Sequence, residues 1–85
     1  MPKIEIYTQP YCGFCDRAVK LLTAKGVEFT EINAPPGSAE RQTAITRSGG
    51  STSAPQIFID GAHIGGCDDL VALNRAGRLD AMLAR

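Results

Sequence analysis

Apolar and polar residues alternate through residues 3–8 (KIEIYT), with Ile4, Ile6 and Thr8 opposite Lys3, Glu5 and Tyr7, the period of a strand. The period then lengthens. From Gly13 to Lys25, Phe14, Ala18, Leu21 and Leu22 recur at helical spacing with Val19 beside them, and Gly26 supplies a stop. Alternation returns in residues 27–32 (VEFTEI), which predicts a second strand. Strand, helix and strand joined this closely form a βαβ unit, so the two strands should run parallel with a right-handed crossover.

The prolines of NAPPG (33–37) exclude helix and central strand, and Ser38 is placed to cap a helix reaching about Ser48. SGGSTS (48–53) reads as a loop. Residues 56–60 (QIFID), a turn at Asp60–Gly61 and a short segment at 63–64 read as a hairpin. GGCDDLVAL opens another helix, with acids in its first turn and Leu70, Val71 and Leu73 on its buried side; a last helical piece covers 79–84. Strands and helices in this order describe an α/β domain, residues 1–85, built on a four-stranded mixed β-sheet with helices on both faces.

A chain of 85 residues with 44% apolar content supports a modest core without requiring disulfides. Nine basic residues balance nine acidic ones, so neither nucleic acid nor a charged membrane surface is expected as a partner. The first strand begins by Ile4, too early for a signal peptide, and no apolar run approaches a membrane span. Three cysteines, an odd and low count, argue against a secreted disulfide scaffold. The expected location is a reducing cytoplasm, where cysteines more often carry metal or redox chemistry.

Cys12 and Cys15 in PYCGFCDR stand at the predicted helix start. Unpaired N–H groups and the positive end of the helix dipole favour a thiolate there. Cys12, just ahead of the helix, is the expected nucleophile, and Cys15, one turn on, the resolving thiol. The rival reading is zinc, with His63 and Cys67 completing a Cys3His set. No second C-x-x-C or H-x-x-H pair accompanies it, and a C-x-x-C beside a βαβ unit reads first as redox.

YTQPYCGFC, SAPQIFIDG and HIGGCDDL, taken together, resemble small bacterial glutaredoxins of the glutaredoxin-3 type over essentially the whole chain. The resemblance implies a thioredoxin-like fold and a glutathione-dependent thiol–disulfide oxidoreductase acting on protein–glutathione mixed disulfides and protein disulfides. Tyr11 and Phe14 would line the glutathione groove. Ser53, Ala54 and Pro55 replace the family's Thr-Val-Pro, with Ala54–Pro55 cis and the Ala54 backbone pairing with the cysteinyl part of glutathione. Gly66, Cys67 and Asp68 would receive the γ-glutamyl end, carboxylate on backbone N–H groups and ammonium on the Asp68 carboxylate. Asp69 reads as a first-turn dipole partner, the Cys67 side chain as packing, and His63 as a hairpin residue without a catalytic role. Arg41 matches a position that can reach the glycine carboxylate, although a solvated helix charge is the plainer reading.

Two positions depart from the family pattern. Gln9 stands where relatives commonly carry Lys or Arg, which implies weaker glutathione binding or a less acidified Cys12. Gly13 stands where dithiol relatives usually have proline. Relatives with glycine or serine there can hold a [2Fe-2S] cluster between two subunits through their first cysteines and two glutathiones. A cluster carrier ligated by Cys12 is therefore the alternative function, as a bridged dimer in place of the expected monomer.

Overall fold

The computed structural model describes residues 2–84. The elements run β1 (Ile4–Thr8), α1 (Gly13–Ala24), β2 (Thr30–Asn33), α2 (Ala39–Arg47), β3 (Gln56–Ile59), β4 (Ala62–Gly65), α3 (Cys67–Arg75) and α4 (Arg78–Leu83). The strands pair in the order β2-β1-β3-β4, with β1 parallel to β2 and the other contacts antiparallel. Mixed sheet and parallel first pair agree with the sequence pattern.

Alternation along β1 decides which face each residue serves. Ile4 and Ile6 lie opposite Ile59 and Ile57 of β3 and bury against Ala18 and Leu22 of α1, Leu70 of α3 and Leu79 of α4. Each of these Ile and Leu side chains contributes roughly 1.5–3 kcal/mol on leaving water. On the other face Tyr7 and Phe58 meet edge to face, centroids 5.7 Å apart, and pack with Ala44 of α2. Arg47 of α2 lies 4.1 Å above the Phe58 ring and donates to Tyr7 Oη and to the Glu5 carboxylate, each at 3.0 Å. That hydrogen bond outweighs the effect of burial and holds the Glu5 carboxyl below its ordinary value of 4.5.

Helix ends follow the punctuation in the sequence. Gly26, at φ 70°, stops α1 in the left-handed conformation that glycine adopts without cost. Ser38 Oγ accepts the Arg41 N–H at 3.1 Å and caps α2. The second strand is the main correction: it spans Thr30–Asn33 and not 27–32. The parallel register runs from Glu5 opposite Thr30 to Thr8 opposite Asn33. Continued backward, it would set Val27 and Glu28 beside residues that precede β1, where no strand is available to pair. Val27 and Phe29 still pack on the core, but outside the sheet.

Candidate active site

At the end of β1 the chain reverses through Tyr11, a non-glycine residue at φ 57° whose side chain is fully exposed. The reversal brings Cys12 to the N-cap of α1, extended at φ −112° and ψ 104°. Its Sγ accepts the Cys15 N–H at 3.2 Å, so the sulfur does the work that a Ser or Asp oxygen does at other caps. A sulfur held among helix N-terminal N–H groups is stabilised most when it carries negative charge. Cys12 is partly exposed, whereas Cys15 is 2% exposed. Burial, reinforced by the hydrogen bond with Cys12, pushes the Cys15 thiol up to about 12, against a smaller opposing effect of the Gln9 backbone. One thiol is partly exposed to solvent, and the other is buried and stays protonated.

Opposite Cys12 the loop after α2 enters β3 through a cis peptide between Ala54 and Pro55. The Cys12 thiol points at the Ala54 carbonyl, 3.8 Å away. Gly65 and Gly66 then carry β4 into α3. Gly65 has φ +122°, and a Cβ there would lie 2.2 Å from Asp69 Oδ2. That carboxylate accepts the Gly66 N–H at 2.9 Å and so caps α3. A Cβ on Gly66 would stand 3.5 Å from the Pro55 carbonyl, so the two loops run in contact. Between them opens a cleft of about 310 Å³ lined by Phe14, Ser53–Pro55 and Gly66–Asp68.

The cleft thus gathers Phe14, Ser53, Ala54, Pro55, Gly66, Cys67 and Asp68, with Cys12 at its mouth and Cys15 beneath. Cys67 is buried, which raises its thiol above the ordinary range. Tyr11, Gln9 and Arg41 do not line it. Arg41 is 9% exposed and is no solvated helix charge. It donates from Nε to the Ala34 carbonyl at 2.9 Å, from Nη1 to the Thr52 carbonyl at 2.8 Å and from Nη2 to Gln9 Oε1. The guanidinium ties three loops together around the active site, and Gln9 is one of its acceptors.

Sequence reasoning missed Ser51, Gln56 and His63 as cleft residues. The signal was Gln56, a polar residue opening an otherwise apolar strand (QIFI); buried at 3% exposure, it has to be hydrogen-bonded. His63, read as a hairpin residue alone, is one of its partners. Among the described residues no three His, Cys, Asp or Glu side chains converge on a metal position, so Cys12, Cys15, His63 and Cys67 do not form the Cys3His set. The same geometry leaves a single chain short of the ligands that a [2Fe-2S] cluster requires. Among the described residues no helix is long and apolar enough to cross a membrane.

A cap-held cysteine whose partner stays protonated one turn on is suited to attack on sulfur, and with this sheet it defines a thiol oxidoreductase of thioredoxin-like fold. The glutaredoxin family profile matches residues 4–64. A glutaredoxin of Pseudomonas aeruginosa is 52% identical over 84 residues, 99% of both chains. Glutaredoxin 3 of Escherichia coli is 52% identical over 83 residues, 98% of this chain and 99% of its own. A buckwheat glutaredoxin–glutathione complex superposes with a TM-score of 0.84 at 29% identity, covering 98% of this chain and 77% of that one. The chain belongs to the glutaredoxin family.

Proposed function

We propose that the protein reduces protein–glutathione mixed disulfides. The Cys12 thiolate attacks the glutathionyl sulfur, the protein thiolate leaves, and Cys12 carries the glutathionyl group. A glutathione thiolate then attacks that sulfur, releasing glutathione disulfide and restoring Cys12. Each step is thiolate attack on sulfur with a thiolate leaving, so electrons balance without a further cofactor. The observation that carries the reading is the cleft beside Cys12, bounded by the Ala54–Pro55 loop and the start of α3. The buckwheat relative, whose structure is a glutathione complex, supports the same ligand.

In this reading the Ala54 backbone pairs with the cysteinyl part of glutathione, flanked by Ser53 and Pro55. Gly66, Cys67 and Asp68 receive the γ-glutamyl end at the N-terminus of α3. Phe14 and Tyr11 provide apolar surface at the mouth, and Gln9 and Arg41 hold the loop on the far side. For protein disulfides, Cys15 attacks the mixed disulfide on Cys12. In the reduced protein burial and the hydrogen bond with Cys12 raise the Cys15 thiol to about 12, so it stays protonated until Cys12 has reacted. A reducing cytoplasm is the compartment this chemistry presupposes.

Turnover of a glutathionylated peptide tests the reading. Cys12→Ser should abolish it, while Cys15→Ser should keep it within about a factor of a few of wild type, because the resolving thiol is not used. Activity surviving in Cys12→Ser, or lost in Cys15→Ser with the fold intact, would contradict the mechanism.

A further inference from the structure

Gln56 begins β3 directly after the Ala54–Pro55 peptide, and its side chain turns back toward that loop. Nε2 lies 3.0 Å from each of three oxygens: Ser51 Oγ, Ser53 Oγ and the Ser53 carbonyl. A carbonyl only accepts, so this end of the amide is its NH2 group and the other end is oxygen. That oxygen, Oε1, stands 2.7 Å from His63 Nε2. An amide oxygen also only accepts, so His63 must carry a hydrogen on Nε2. The imidazole ring meanwhile lies against Phe58, centroids 5.2 Å apart. A continuous relay runs from His63 on β4 through buried Gln56 to Ser53, whose neighbour Ala54 faces Cys12 across 3.8 Å.

We infer that His63 is a positioning residue for substrate binding. By donating to Gln56 Oε1 it fixes the amide orientation that anchors Ser53 through both its hydroxyl and its carbonyl. The Ala54 backbone is thereby held ready for an extended γ-glutamyl-cysteinyl peptide. Without the donor, the Gln56 amide keeps only its contacts with Ser51 and Ser53, and the loop is held less firmly. The inference rests on the glutathione reading above for its substrate, but the relay itself does not depend on glutathione.

Two measurements test it. Nitrogen NMR of the ligand-free protein should show His63 protonated on Nε2, and His63→Leu should shift the Ser53 and Ala54 amide resonances. An Nδ1-protonated neutral imidazole, or unmoved loop amides, overturns the relay whatever the substrate is. With a glutathionylated peptide, His63→Leu should raise KM roughly three- to ten-fold with kcat nearly unchanged, as expected for one lost hydrogen bond. His63→Gln, which can offer an N–H near the position of Nε2, should restore KM toward wild type; His63→Asn, one carbon shorter, should not. A KM unchanged in His63→Leu, or a failure of glutamine to outperform asparagine, overturns the positioning role.

Discussion

Gly13 occupies the first position of α1, where proline is favoured because its missing N–H has no helical partner. Nothing lies within 4 Å of a Cβ built on it, and Cys12 before it is already extended, the conformation that a following proline demands. Gly13→Pro should therefore be accepted and stabilise the fold by about 0.4–1 kcal/mol through the unfolded state, read as a higher urea midpoint. A lower midpoint would show that the helix start needs this glycine. Gln9 reads differently once its partner is known. From the sequence it marks a missing positive charge, but its Oε1 accepts from Arg41. A lysine in its place would set an ammonium group against that guanidinium, so Gln9→Lys would not simply restore charge beside Cys12.

At the scale of elements, three loops meet on one side chain. Arg41 binds the Ala34 and Thr52 carbonyls and Gln9, which lie before α2, after α2 and after β1. An ammonium group cannot reproduce a planar fork aimed at three acceptors. Arg41→Lys should cost roughly 1.5–3 kcal/mol in chemical denaturation, the range for hydrogen bonds to a charged group. A loss under about 0.5 kcal/mol would place Arg41 among ordinary surface charges. The helices and their caps were legible in the sequence because Ser38, Gly26 and Gly66 act locally. The extent of β2 was not, because strand length depends on the partner: residues 27–29 alternate as well as 30–32, yet the register with β1 begins at Glu5 and Thr30.

For the whole molecule, the buried Cys15 thiol and the half-buried Glu5 carboxyl are two of the groups that make stability depend on pH. The Cys15 thiol is raised from 9.0 to about 12, so its contribution is complete below about 9 and is lost as pH rises from there toward 12. The Glu5 carboxyl is lowered, so its contribution is complete above 4.5 and is lost as pH falls through the depressed value. Urea unfolding across pH should show both limbs. Cys15→Ala should flatten the alkaline limb and Glu5→Gln the acid one, comparing slopes so that the cavity or lost ion pair does not confuse the result. Unchanged slopes would remove these groups as the cause.

The two cysteines, their place at a helix start, the glycines ahead of α3 and the alternation of β1 are local patterns, and the sequence alone determined them along with the fold class they imply. What only the tertiary structure decided is which polar groups find one another across the sheet. Gln56 and His63 are seven residues apart, and Arg41 and Gln9 are 32 apart. In each pair one partner, Gln56 or Arg41, is buried, and its polar atoms must find protein partners once water is excluded from them. Periodicity records which face a residue occupies, but it carries no information about which distant acceptor a buried donor must reach.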